Sequence, residues 1–281
     1  MRAAAIEAEA RGADSFGIAD HIGHPPDRAM IEAFTLANAV AQVTTQIRIT
    51  IGVAALTFRE PAILAKMATG LSLATNGRLT LGIGTGVRQG EHDAFGIRFP
   101  PPGERVSRLE EYVQVVKALC QPTGDPVTFE GRYYQLGGAR NLPPPAAAIP
   151  ILIGGSGDRV LGVVARHADI WDIADDYLDR VADRSAKLDA LAARTGRTIA
   201  RSITIPLAVT APTPEQLAAN RVSLGWGAFG ETDAMVARIR ELVGQGHFDE
   251  ISLVPMGARA SFDRALEIIP ILKRAFEPVA A

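Results

Sequence analysis

Cysteine is almost missing from these 281 residues. The single Cys120 rules out an intrachain disulfide framework, and its place in an apolar helical pattern reads as a small packed hydrophobe in a reducing compartment. Lysine is scarce too. All four, Lys66, Lys117, Lys187 and Lys273, fall in helical patterns, so none follows a strand, where the Schiff-base nucleophile of a barrel aldolase would stand. No sign of charge dominates: a formal net charge of −2 leaves no electrostatic footprint for nucleic acid or an anionic membrane, and points to small neutral partners. No apolar run reaches the roughly 18 residues of a spanning helix, and the first residues lack the apolar core of a signal peptide, so the cytoplasm is the default compartment. A G-x-S-x-G nucleophile elbow is missing, as is a carboxylate and histidine cluster for a metallohydrolase. His21 and His24 lie three apart without a cysteine, or a glutamate at metalloprotease spacing, so no metal site is expected. What survives these exclusions is chemistry carried by a bound cofactor, because hydride transfer needs neither nucleophile nor metal.

The chain alternates short apolar runs with helical periods. Ser15 to Asp20, Ile47 to Val53, Leu79 to Gly84, Ile149 to Gly155, Asp169 to Ile173, Ile203 to Val209 and Glu250 to Pro255 read as buried parallel strands. Between them run apolar faces: Leu64, Met67, Leu71 and Ala74; Val106, Leu109, Val113 and Val116; Leu178, Val181, Ser185, Leu188 and Leu191; Met235, Ile239 and Leu242. Such alternation permits an open doubly wound sheet or a closed barrel. Seven strands, a C-terminal helix around Leu266 to Phe276 and an opening Ala- and Glu-rich helix without its strand suggest a (β/α)8 TIM barrel lacking its first strand. With 47% hydrophobic residues the chain can bury one substantial core, and a single domain over residues 1–281 is expected. An inserted hairpin, alternating with period two around Glu130-Gly131, and a proline-stiffened connector occupy about residues 122–148.

In such a barrel the chemistry gathers just after each strand. The candidates there are Asp20 and His21, then Val53, Ala54 and Ala55, then Gly84, Thr85 and Gly86, then Gly154, Gly155, Ser156 and Gly157, then Asp175 and Asp176. Gly82, Gly84 and Gly86 fall as G-x-G-x-G, and Val87 stands where a dinucleotide fingerprint needs its last glycine. Bare backbone at a strand end still lets a flat ligand lie close. In "IPILIGGSGDRVLGVVARHAD" a strand runs through Gly-Gly-Ser-Gly into a helix starting near Asp158, so free N–H groups and the helix dipole converge on a spot suited to phosphate. A tight βα turn that merely needs glycine remains the plain alternative, and the phosphate could belong to a substrate.

The segments "GADSFGIADH", "QIRITIGVAALTFREPAILAKMA", "GRLTLGIGTGVRQGEHDAFGIRFPPPGERVSRLEEYVQVVKAL", "PVTFEGRYYQL" and "IPILIGGSGDRVLGVVARHADIWD" resemble, in order, those of the bacterial luciferase-like monooxygenase family. The resemblance is to its branch of coenzyme F420-dependent or FMN-dependent oxidoreductases. It implies a barrel holding a flavin-like tricycle at the strand ends, with coenzyme F420 preferred and FMN the alternative. On this resemblance His21 is the catalytic residue, lying near the reactive ring, and Asp20, beside it at the strand end, is one of the cofactor-binding residues. Gly52, Val53 and Ala54 form a bulge with a non-prolyl cis peptide behind the tricycle. Gly84, Thr85 and Gly86 lie beside the ring and ribityl chain under a loop spanning Val87 to Pro102, Arg88 faces a phosphate or acidic tail, and Gly154, Gly155, Ser156 and Gly157 take the phosphate. Ala54 replaces a common threonine or serine, and Val87 replaces the glutamate of sugar-phosphate dehydrogenases. The implied function is hydride transfer between the deazaflavin and a small organic substrate, with an FMN-dependent monooxygenase, a non-catalytic flavin-binding barrel and a phosphate-binding barrel isomerase as rivals. A small-molecule substrate is the expected partner, with neither nucleic acid nor membrane, and a homo-oligomer is left open. In the family a strand and loop precede the helix that matches "AAAIEAEARGADSF", so the chain is expected to begin inside the fold and to leave a seam between its first and last strands.

Overall fold

The apolar runs pair in parallel, each strand returned to its neighbour by a helix. The structure, a computed structural model, describes residues 1–23, 29–173, 180–216, 227–257 and 259–276. Its strands are β1 (Ser15–Ile18), β2 (Arg48–Ala55), β3 (Leu79–Gly84), β4 (Val127–Glu130), β5 (Gln135–Ala139), β6 (Ile151–Gly154), β7 (Ile170–Ile173), β8 (Ala200–Ala208), β9 (Ala228–Phe229) and β10 (Glu250–Pro255). The main sheet runs in the order β1-β2-β3-β6-β7-β8-β10, with β9 attached to β8, and all its pairings are parallel. The helices are α1 (Arg2–Ala10), α2 (Ala33–Ala41), α3 (Pro61–Ala74), α4 (Gln89–Ala94), α5 (Pro102–Leu119), α6 (Asp158–His167), α7 (Val181–Thr195), α8 (Thr232–Val243) and α9 (Arg259–Phe276).

Helical periodicity translates directly into burial. Leu64 and Leu71 of α3, Leu109, Val113 and Val116 of α5, and Met235, Ile239 and Leu242 of α8 are all fully buried against the sheet. Trp171 and Tyr112 are the largest side chains of this core. Cys120 is buried in it, and burial pushes its thiol up to about 12, as suits a packing residue. Among the described residues, no helix is long and apolar enough to cross a membrane.

Within the described residues, β1 and β10 end the sheet path, each with one neighbour, as seven strands in this order require. The sheet is nevertheless curled. Arg48 of β2 reaches Glu250 of β10 at 2.6 Å, and Lys273 of α9 bonds the Gly12 carbonyl at 2.9 Å and Asp14 at 2.8 Å, tying the two margins together.

Three local features differ from the sequence pattern. The hairpin's second strand is displaced toward the C-terminus, to Gln135–Ala139, because Glu111 of α5 accepts the Arg132, Tyr133 and Tyr134 amides and holds them in the turn. Strand β8 begins at Ala200, where it already pairs with Ile170. Helix α2 has no counterpart in that pattern; its buried face is mostly alanine, and Glu32 starts it by accepting the Phe34 and Thr35 amides.

Candidate active site

The carboxyl ends of β1, β2, β3 and β6 are brought side by side by the register, which pairs Ile18 with Ile51, Ala55 with Gly84, and Ile83 with Ile153. Between Ile51 and Ala54 the pairing of β2 with β3 slips, and the Gly52–Val53 peptide in this bulge is cis. Val53 thereby lies across β3. A β-carbon at Gly82 would fall 2.7 Å from Val53 Cγ1, one at Gly84 2.6 Å from Cγ2, and one at Gly154 3.8 Å from Cγ1. At Gly82 and Gly84 only glycine fits. This part of the strand-end surface is therefore backbone plus one isopropyl group. Ala54, the next residue of β2, is buried in the core. Thr85 leads to Gly86, whose φ of 80° and close neighbours, Thr57 Oγ1 and the Phe99 ring, again require glycine.

Asp20 braces the site. Its Oδ2 accepts from Arg59 Nη1 at 2.7 Å and from the Ala55 amide at 3.1 Å, and its Oδ1 accepts from Arg59 Nη2 at 2.9 Å. The exit of β1 is thus clamped to the exit of β2, and Tyr112 Oη fixes the Arg59 carbonyl at 3.0 Å. Burial alone would lower the Arg59 guanidinium, but the hydrogen bond and charge of Asp20 outweigh it and raise it.

His21 follows this clamp and meets a residue for which the sequence offered no role. Its Nδ1 lies 3.0 Å from Glu91 Oε2, while Glu91 Oε1 accepts the amides of Ile22 at 2.5 Å and Gly23 at 3.0 Å. The imidazole is 28% exposed and the glutamate side chain 2%. Burial opposes ionisation of Glu91, yet the bonds from His21, Gly23 and Ile22 overcome it and hold the carboxyl below the usual range. The adjacent His92 is buried between the rings of Phe58 and Phe99, at centroid distances of 4.9 and 4.2 Å. It donates from Nδ1 to the carbonyl of Arg88 at 2.7 Å, and its Nε2 accepts from the Thr57 hydroxyl at 2.7 Å. Two consecutive residues of α4 thus grip the exits of β1 and β2 and hold down the loop from Val87 to Pro102. An acid beside a histidine in "QGEHDAFG" is the sole sequence signal, and its partners lie 70 and 35 positions away.

The fourth strand exit is the Gly154 to Gly157 turn. Gly155 has φ 113°, its carbonyl accepts from the Trp171 indole at 2.8 Å, and its amide donates to the Asp172 carbonyl at 3.3 Å. Ser156 is buried, and its Oγ has no hydrogen-bond partner among the described residues. Helix α6 starts after Gly157 with no side-chain cap. An uncapped helix start beside an orphaned buried hydroxyl is a donor set that fits a phosphate. Asp158 in the first turn of α6 is neutralised by Lys187 at 2.6 Å and Arg184 at 2.5 Å, which keep it below the usual range. Next to the turn, Asp172 of β7 accepts from Thr204 at 3.0 Å, and burial pushes its carboxyl up to about 6 against the bonds from Ser202 and Thr204. His24, Asp175 and Asp176 lie outside the described residues.

A family model described as luciferase-like monooxygenase matches residues 1–247. The chain is 34% identical over 209 residues to an uncharacterized protein of Mycobacterium tuberculosis, across 67% of this chain and 70% of that one. It is 34% identical over 173 residues to the F420-dependent glucose-6-phosphate dehydrogenase of Amycolatopsis mediterranei, across 59% of this chain and 50% of that one. A solved F420-dependent secondary alcohol dehydrogenase, in complex with an F420-acetone adduct, is similar with a TM-score of 0.81 at 20% identity, over 96% of this chain and 93% of that one. That likeness is one of fold, the α/β barrel.

Proposed function

The chain belongs to the luciferase-like monooxygenase family, and on that premise we propose that it is an oxidoreductase that transfers hydride between coenzyme F420 and a small organic substrate. The observation that carries the reading is the orphaned Ser156 hydroxyl at the uncapped start of α6, beside the glycine strand ends of β3 and β6 that Val53 covers. The Ser156 hydroxyl and the amides at the start of α6 would hold the phosphate, and Val53 on its glycine strip would back the tricycle. The deazaflavin, when bound, carries hydride and does not activate oxygen. His21 holds or moves the substrate proton, while Asp20 and Arg59 set the position of its backbone.

The F420-dependent dehydrogenase relatives favour this cofactor over FMN. They do not extend to the sugar phosphate. Val87 stands where the resemblance implies a glutamate in those enzymes. Val87 is 52% exposed, and Phe95, which packs on Gly23 beyond His21, is 56% exposed. Apolar side chains at these two positions suit an uncharged substrate better than a phosphorylated one. The runner-up is an FMN-dependent monooxygenase, favoured by the description of the matching family model.

Titration of the cofactor-free protein with coenzyme F420 and with FMN, followed by fluorescence, tests the order. The deazaflavin should bind at least about tenfold more tightly, a gap of about 1.4 kcal/mol. Tighter binding of FMN would overturn it in favour of the monooxygenase, and binding without turnover of any electron acceptor would mark a non-catalytic relative.

A further inference from the structure

We propose that Glu91 is a positioning residue that fixes the proton of His21 on Nδ1, so that Nε2 is the nitrogen through which the imidazole takes up a proton. The proposal deepens the reading of His21 as the proton-handling group of the site and rests on it. The geometry is specific. Glu91 reaches back from α4 to three consecutive residues, accepting the backbone amides of Ile22 and Gly23 on Oε1 and facing the His21 ring on Oε2 at 3.0 Å. An ionised carboxylate has no proton to give, so the hydrogen in the bond between Oε2 and Nδ1 must belong to the imidazole. In a neutral ring the other nitrogen is then the acceptor. Three contacts keep the carboxylate in place. The amides of Ile22 and Gly23 fix one oxygen, and the bond of the adjacent His92 to Thr57 anchors the helix to β2. Glu91 is 70 residues from His21 in sequence and its side chain is 2% exposed, so it acts through the segment from His21 to Gly23 that it holds, not by direct contact with a ligand.

Replacing the carboxylate by its amide separates orientation from packing. In Glu91→Gln the amide oxygen can still accept the Ile22 and Gly23 amides, while its NH₂ now faces Nδ1 and can only donate. The ring proton must then move to Nε2. Selective ¹⁵N labelling of the five histidines in the 281-residue chain, with the His21 signals assigned by their loss in His21→Gln, reads the tautomer directly by long-range proton–nitrogen correlation. The wild-type chain should show His21 protonated on Nδ1, and Glu91→Gln should show the inverted tautomer with its melting temperature little changed. Turnover should fall by a factor on the order of 100 in kcat, with KM and cofactor affinity within about twofold. His21 protonated on Nε2 in the wild-type chain overturns the proposal, as does a tautomer unmoved by Glu91→Gln. The wild-type spectrum needs no variant at Glu91 and no cofactor. It therefore stands if Glu91→Gln folds poorly, and it is independent of the titration that tests the cofactor.

Discussion

A β-carbon on Gly84 would lie 2.6 Å from Cγ2 of Val53, so the glycine that ends β3 makes room for a side chain from β2. At Gly82 the same side chain, together with the Ile51 carbonyl oxygen, fills the space. Overpacking of this kind costs about 1 to 3 kcal/mol. Gly84→Ala should lower stability by that amount in urea unfolding. Val53→Ala, which removes both Cγ atoms, should recover most of the loss in the double variant. Purely additive effects would show that the two positions do not press on each other.

Ser156→Ala removes a buried hydroxyl with no partner among the described residues, so it should leave stability unchanged or slightly higher. The same change should weaken a phosphate-bearing tricycle by about 1 to 2 kcal/mol, through one lost hydrogen bond to a charged group. Riboflavin, which lacks the phosphate, serves as the control ligand and should lose nothing. Calorimetric titration of wild type and variant with FMN and riboflavin checks this. Equal losses for both ligands would make the turn structural only.

Asp20 and Arg59 form a pair whose side chains are 1% and 11% exposed. Among the described residues, Asp20→Ala leaves the buried Arg59 guanidinium with the Glu32 carboxylate, at 3.7 Å, as its remaining ion-pair partner, and the Ala55 amide without its acceptor. Breaking such a pair costs about 3 to 5 kcal/mol. Chemical denaturation of Asp20→Ala should show a loss of this size, while Arg48→Ala, at a more exposed pair, should lose under about 1 kcal/mol.

Asp172 titrates at about 6 in the folded chain, against about 3.9 for an aspartate in an unfolded one. Between those values the folded chain holds a proton that the unfolded chain has released. The contribution of this group to stability is therefore greatest below about pH 4 and declines as pH rises through about 6, by roughly 2 to 3 kcal/mol in all. Unfolding free energies of wild type and Asp172→Asn between pH 4.5 and 7.5 should differ by an amount that moves against the wild type as pH rises. A constant difference would place the carboxyl at its ordinary value.

The strand and helix order was legible because it depends on near neighbours. A strand buried on both faces must be largely apolar, as Leu79 to Gly84 is apart from Thr80, and a helix packed on one face must repeat its apolar residues every three or four, as Met235, Ile239 and Leu242 do. The Gly154 to Gly157 turn was legible for the same reason, since strand, glycines and helix are contiguous. Helix α2 was not, because alanines bury little area and leave a faint period.

Local pattern thus determined the alternating architecture, the parallel sheet and the end of it where chemistry gathers, as well as the position of His21 at a strand exit. Only the tertiary structure decided what each of those residues meets. The alternate glycines of β3 read from the sequence as space for a flat ligand, whereas the register slip in β2 puts Val53 against Gly82 and Gly84. Asp20 finds Arg59 across 39 positions and His21 finds Glu91 across 70, and no periodicity of 2 or 3.6 residues encodes a separation of that length. Such contacts form because the sheet brings distant strand exits to one edge, where a buried carboxylate must find donors or remain unpaired.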